Sequence, residues 1–259
     1  MKYPNLEKLV DIIAVLRSEN GCPWDREQTH KTLRPNMLEE AYEAVDAIDD
    51  GDIANLREEL GDVLLQVVLH AQIAKDNKEF DIEDVAKELS DKLIHRHPHV
   101  FGTAHVDSAD DVVTNWDKLK KEEKKNRKSI LDGISKSQSA LMSAQKISKK
   151  VVKVGFEWDS VDSLKECIKS EYKEFEEAVQ NGDKELMEDE MGDIFFATVN
   201  LARWYKIDAE QALLRANKKF TARFKKMEEI KTKPFEEYSY EEFNDLWKRA
   251  KSIIKEDKK

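Results

Sequence analysis

Four pairs of acidic residues stand at helical spacing along this chain: Glu40 with Glu43, Glu59 with Asp62, Glu171 with Glu174, and Glu190 with Asp193. Residues three apart share one face of a helix. The turn between the first two pairs falls at Asp50-Gly51. Glu43 lies seven residues before Asp50 and Glu59 eight after Gly51, while Glu40 lies ten before and Asp62 eleven after. In an antiparallel helix pair, Glu43 is therefore level with Glu59, and Glu40 with Asp62. The same arithmetic around Asn181-Gly182 sets Glu174 against Glu190 and Glu171 against Asp193. Four carboxylates at one depth repel each other, which raises their pKa values and weakens the fold. Basic partners or a divalent cation would relieve that. Oxygen ligands without His or Cys select Mg²⁺, Mn²⁺ or Ca²⁺ over zinc. Mg²⁺ sites also leave positions for water and substrate phosphates, so the constellation points to metal-assisted phosphate chemistry. A di-iron carboxylate bundle would need Glu-x-x-His, and neither Glu59-x-x-Asp62 nor Glu190-x-x-Asp193 supplies the histidine.

The elements that must position these acids are helices. Leu6, Leu9, Val10, Ile13 and Leu16 form a helical stripe over 5–19, ended by Gly21, Cys22 and Pro23. A second helix is expected over 36–48. A third, N-capped by Asp52, should run from about 53 to 76, and Asp81 can cap a fourth through Ile82, Val85, Leu89 and Leu93. Residues 95–111, HRHPHVFGTAHVDSADD, read as a loop, and 110–125 as a further helix with Val113, Trp116 and Leu119. The charged run KLKKEEKKNRKS (118–129) reads as a solvated helix end leading into a linker, since acids interrupt the basic residues.

Sliding the chain by 131 residues lays 37–71 on 168–202 without a gap. Ten positions are then identical. They include all four carboxylates, Gly51/Gly182, Asp52/Asp183, Gly61/Gly192, Ala47/Ala178, Val68/Val199 and Ala71/Ala202. GCPWD (21–25) echoes GFEWD (155–159), Lys92 and Arg96 echo Lys219 and Arg223, and Trp116 echoes Trp247. The organisation expected is two tandem modules, 1–125 and 135–259, joined by a linker over 126–134. A duplication kept for packing alone should retain apolar positions, whereas this one retains acids. Gly61 and Gly192 lie inside predicted helices, where glycine costs about 1 kcal/mol relative to alanine. Its retention implies close approach by a neighbouring helix or a ligand.

The chain is 40% hydrophobic and 38% charged, with 8 Gly and 5 Pro in 259 residues. Few turn residues argue against a β-sandwich or Rossmann sheet and for an all-α fold of two helical bundles. A net charge of −10 disfavours a nucleic-acid binder. No apolar run approaches a membrane span, and MKYPNLEKLVDIIAVLRSEN has no secretory core. Two distant cysteines, Cys22 and Cys167, are no disulfide framework. These features together suggest a cytoplasmic protein. Neither cysteine has a histidine nearby to activate it. His95, His97, His99 and His105 could suggest zinc, yet no cysteine is near, and a loop packed beside the site is the simpler reading.

With these residues assembled, the pattern EExxE followed by ExxD resembles the MazG-type nucleoside triphosphate pyrophosphohydrolases. It reads Glu39-Glu40-x-x-Glu43 and Glu59-x-x-Asp62 here, and GCPWDREQTH (21–30), HRHPHVFG (95–102) and VGFEWDS (154–160) look like the same family. The resemblance spans essentially the whole chain in the two-module form. It implies an all-α bundle and a homodimer whose interface helps build the site. It also implies hydrolysis of NTPs or dNTPs to the monophosphate and pyrophosphate. Mg²⁺, or Mn²⁺, would be held by Glu171, Glu174, Glu190 and Asp193, and by Glu40, Glu43, Glu59 and Asp62 in the first module. The second module is implied to be the main hydrolase, so its four acids are the catalytic candidates. Lys219 and Arg223 match the phosphate-contacting pair and Trp247 a position near the base. One departure is Ser170, where the first module has Glu39. If that Glu orients the attacking water, the second module must use another group. A non-catalytic helical module that binds nucleotide, metal or a protein partner is the alternative that the residues leave open.

Overall fold

The computed structural model describes residues 3–108, 111–112, 115–116, 119–120, 123 and 128–256, and all regular structure among them is helical. The chain divides into two compact units, Met1–Lys125 and Asn126–Lys259. In the first, α1 (Pro4–Arg17), α2 (Pro23–Glu27), α3 (Arg34–Asp50), α4 (Ile53–Asp76), α5 (Ile82–Arg96) and the short α6 (Pro98–Phe101) follow in order. In the second come α7 (Ala140–Val152), α8 (Val161–Asn181), α9 (Lys184–Trp204), α10 (Ala209–Ile230), a 3₁₀ turn at Phe235–Glu237 and α11 (Tyr240–Glu256). The helix expected over 110–125 falls largely on residues outside those described. Residues 128–134 turn against α7, where Lys150 Nζ donates to the carbonyls of Ile130 and Asp132 at 2.5 and 3.0 Å.

Two hairpins, α3–α4 and α8–α9, carry the acids, and their turns share the same glycine–aspartate pair and the same backbone hydrogen bonds. Gly51 and Gly182 both sit at φ +69°, in the left-handed region that glycine enters at no steric cost. Gly51 N–H donates to Ile48 O and Asp52 N–H to Ala47 O; Gly182 and Asp183 repeat this on Val179 O and Ala178 O. This is the six-to-one, five-to-two pattern of a Schellman stop, which satisfies the last carbonyls of the first helix. The next residue starts the second helix: Asp52 accepts from Ala54 and Asn55 N–H, and Asp183 from Leu186 N–H. The alanines that accept the Schellman bonds are 3% and 0% exposed, so a larger side chain has no room at the seam. The repeat thus fixes turn and register together.

The cores lie to one side of these turns. Ile13, Leu33, Val68, Leu69 and Ile73 form one cluster, with Leu9, Val10, Leu16, Leu65 and Ile82 packed against it, so α1 covers the C-terminal half of α4. Arg17 closes this end, with an ion pair to Asp76 at 2.8 Å and hydrogen bonds to the carbonyls of Asp25 and Gln28. In the second unit α7 takes the place of α1 with polar rather than apolar residues. Buried Ser148 Oγ donates to Asn200 Oδ1 at 2.5 Å and accepts from Arg203 Nε at 2.6 Å, and Arg203 pairs with Glu157. Gln145 spans from Ile207 O to Ala209 N–H. The loop expected over 95–111 is partly helical: His95 and Arg96 form the last turn of α5, and Pro98 starts α6 at a first-turn position that needs no N–H.

Candidate functional site

In each hairpin three carboxylates converge. Glu40, Glu43 and Glu59 offer oxygens all within 4.8 Å of one another, and Glu171, Glu174 and Glu190 do the same. Those are the only sets of three or more potential ligands among the described residues. Glu40, Glu59, Glu171 and Glu190 are half-buried; Glu43 and Glu174 are exposed. The fourth acid of each set, Asp62 and Asp193, is felt electrostatically rather than gathered into the triad. Partial burial and then the charge of Asp62 hold the Glu40 carboxyl above its ordinary range, with smaller contributions from Glu43 and Glu39. Burial raises Glu59 too, and its strongest repelling neighbour is Glu43, followed by Asp62. Glu190 repeats this, raised by burial, then Glu174, Asp193 and Glu171. The order of neighbours, Glu40 with Asp62 and Glu59 with Glu43, is the one the hairpin arithmetic requires.

Among the described residues, none of these eight acids forms an ion pair with lysine, arginine or histidine. Nearby lysines turn elsewhere: Lys169 to Glu166 and Lys173 to Glu177. Basic partners are therefore not what offsets the repulsion. An all-oxygen donor set of this span fits a hard divalent cation bound by carboxylates. Around it the helix surface is open, for a Cβ added at Gly61 or Gly192 would meet nothing within 4 Å. Packing of a neighbouring helix against these glycines, one of the two readings of their retention, is not seen among the described residues of either unit.

Two contacts at the second site have no counterpart in the first. Ser170, in place of Glu39, donates from Oγ to Glu174 Oε1 at 2.9 Å and so fixes a rotamer of that acid. Cys167 Sγ donates to Glu171 Oε1 at 3.5 Å. Burial, that hydrogen bond and the surrounding acids push the Cys167 thiol up, which keeps it protonated and a poor nucleophile. Both residues are short polar side chains one turn before an acid, a spacing visible in sequence once the acids are accepted.

Lys219, Arg223 and Trp247 assemble separately, on α10 and α11. Trp247 packs on the core of Met227, Leu246 and Ala250 and lies against Phe220, with ring centroids 5.1 Å apart. The Arg223 guanidinium lies over the indole, 5.5 Å from its centroid. Lys219 is exposed and forms no ion pair among the described residues. No hydrogen bond or ion pair among the described residues joins the three to the carboxylates. The matching Arg96 of the first unit lies 5.1 Å from the centroid of Trp116, but is also held by Glu123, which donates nothing and accepts from Arg96 Nε at 3.1 Å and from a second guanidinium nitrogen. Glu123 belongs to the charged run read as a solvated helix end, so that reading missed a pairing. The histidines do not converge: His97 Nδ1 meets Leu93 O at 2.7 Å, His97 and His99 rings are tilted against each other, and His95 approaches Glu123. An unexpected pair is His30 with His70, Nδ1 to Nδ1 at 2.7 Å.

Comparison with known proteins bears on both hairpins. A family model described as the MazG nucleotide pyrophosphohydrolase domain matches residues 28–101 and again 159–227, each stretch holding one full set of acids. A Thermotoga maritima protein named nucleoside triphosphate pyrophosphohydrolase/pyrophosphatase MazG is 45% identical over 249 residues, covering 95% of each chain. An Escherichia coli nucleoside triphosphate pyrophosphohydrolase is 44% identical over 233 residues, 87% of this chain and 88% of its own. The crystal structure of a MazG-related protein from Thermotoga maritima aligns over 44% of this chain and 98% of its own, at 32% identity and a TM-score of 0.39.

Proposed function

The chain belongs to the MazG family of nucleotide pyrophosphohydrolases, and from that premise we propose that it cleaves NTPs and dNTPs to the monophosphate and pyrophosphate with Mg²⁺, chiefly in its second unit. The observation that carries this reading is the carboxylate triad: Glu171, Glu174 and Glu190 crowd within 4.8 Å, and among the described residues none of them forms an ion pair. These three and Asp193 would hold the cation, and Glu40, Glu43, Glu59 and Asp62 would hold one in the first unit. When bound, Mg²⁺, or Mn²⁺ in its place, neutralises the polyphosphate and polarises the phosphoryl oxygens.

The chain's own residues supply the remainder. Ser170 holds Glu174 in one orientation by its 2.9 Å hydrogen bond. A carboxylate of the set accepts the proton of a water that adds to phosphorus, the α–β anhydride bond breaks, and pyrophosphate leaves. Lys219 and Arg223 lie one turn apart on α10, and their charges suit the developing negative charge on pyrophosphate. Trp247, half-buried on α11, would contact the base through its aromatic ring. Since no hydrogen bond or ion pair among the described residues joins Lys219, Arg223 or Trp247 to the acids, completion of the site by a second copy is favoured. Exposed Leu60 and Leu64 on α4, and Phe195 and Phe196 on α9, support such a homodimer. Among the described residues no helix is long and apolar enough to cross a membrane, and both cysteines are free, in keeping with a cytoplasmic enzyme.

The test is a panel of NTPs and dNTPs incubated with and without Mg²⁺, with products resolved by ³¹P NMR. The reading requires monophosphate and pyrophosphate only when Mg²⁺ is present, and their loss in Glu174→Gln. Binding without turnover would make the chain a nucleotide-binding module instead.

A further inference from the structure

The two units offer the same arginine in different electrostatic states. Arg223 lies over Trp247 and forms no ion pair among the described residues. Arg96 lies over Trp116 in the same way, but its side chain is 9% exposed and its fork is filled. Nε donates to Glu123 Oε1 at 3.1 Å and a terminal nitrogen to Oε2, a two-point engagement of a carboxylate. Glu123 stands seven residues after Trp116. Seven residues after Trp247 stands Ile254, two helical turns along α11 and without charge. At this position the first unit has a carboxylate that occupies its arginine, and the second has an uncharged side chain.

We propose that Glu123 is an internal occupant of the first unit's phosphate-binding arginine, and that this glutamate, rather than any loss among the acids, keeps a nucleoside triphosphate from binding there. The inference rests on the reading above, in which Arg223 contacts the triphosphate. A carboxylate presents the same two-oxygen edge to a guanidinium as a phosphoryl group does. A phosphate approaching Arg96 must displace a side chain that costs no translational entropy to hold and is itself only 27% exposed. The first unit retains Glu40, Glu43 and Glu59, with oxygens within 4.8 Å of one another as in the second unit's triad, and it even retains Glu39. Its acids are complete, and the difference lies at the cationic end. Lys92, which matches Lys219, is drawn toward Glu88 at 3.7 Å, a weaker diversion of the same sign.

The full chain is titrated calorimetrically with an α,β-methylene triphosphate analogue in Mg²⁺, and the analogue bound per chain is counted. Wild type should bind at the second unit alone, and Glu123→Ile, which installs the residue found at 254, should double the count. Glu123→Gln keeps the shape, removes the charge and should move in the same direction. The reciprocal Ile254→Glu should lower affinity at the second unit at least tenfold. An unchanged count in both Glu123 variants with wild-type circular dichroism, or two analogues bound by the wild type, overturns the proposal. Should the Glu123 variants fail to fold, undiminished affinity in Ile254→Glu overturns it instead. Arg223→Ala separates this from the underlying reading: full binding in that variant sinks the assignment of Arg223 and the proposal with it. Lost binding there, with no gain in the Glu123 variants, removes the Glu123 proposal alone.

Discussion

Replacing Gly192 by alanine should make the protein more stable and less active. The glycine lies inside α9, between Glu190 and Asp193, where a helix pays about 1 kcal/mol for glycine relative to alanine. No neighbour claims the space a methyl group would fill, since nothing lies within 4 Å of the position of an added Cβ. The whole propensity gain of about 1 kcal/mol should therefore appear, raising Tm by about 2–4 °C for a unit or chain of this size. If the open surface is where the triphosphate or a second copy approaches, the same methyl intrudes on a close contact. Overpacking of that kind costs on the order of 1–3 kcal/mol, so kcat/KM should fall by on the order of tenfold to a hundredfold. Thermal unfolding and steady-state hydrolysis on the same preparation measure both. Gly61→Ala should give the stability gain with little loss of activity, because it lies in the first unit. Destabilisation by either alanine would restore helix packing as the reason for the glycine. Stabilisation at Gly192 with full activity would show that no ligand approaches there.

Other outcomes follow from the same geometry. Glu174→Gln should abolish most hydrolysis whereas Glu43→Gln should spare most of it, as read by initial rates under saturating Mg²⁺, and equal losses would contradict the ranking of the units. Asp52→Ala and Asp183→Ala each remove a helix cap and should each cost about 1 kcal/mol in denaturant unfolding, adding in the double variant because the caps lie in separate units. His70, whose pKa is lowered first by burial and then by His30, takes up its proton more readily unfolded than folded. Stability should hold above its ordinary value of about 6.5 and decline as pH falls below it; urea midpoints from pH 7.5 to 5 should show the slope, and His70→Gln should flatten it.

How far these features were legible depended on which physics carried each of them. The α3–α4 hairpin could be read to within two residues at its ends, and the α8–α9 turn placed by the repeat, because left-handed backbone, helix cap and tight seam each favour few residue types, here glycine, aspartate and alanine. The level acids followed from that register. The α1 stripe was equally plain, being apolar and packed on α4. Its counterpart α7 was not singled out, because its inner face carries Gln145 and Ser148, whose burial is secured by partners distant in sequence, Ile207, Asn200 and Arg203. The same limit hid Glu123: a glutamate in a run of lysines looks solvated until Arg96, 27 residues earlier, is brought beside it. Proline and several histidines made 95–111 look like loop, although proline suits a first helical turn and α6 begins there. Asp62 and Asp193 were expected as equal partners of the glutamates, yet the triads close without them.

The most direct measurement follows divalent cation and substrate together. Mn²⁺ uptake by electron paramagnetic resonance is recorded alongside triphosphate cleavage, for the wild type and for a variant carrying Glu171→Gln, Glu174→Gln and Glu190→Gln. The carboxylate account predicts that the variant, still folded, loses the second unit's Mn²⁺ and nearly all turnover at once. Cleavage that persists in that variant, or in wild type stripped of cation by a chelator, would contradict it.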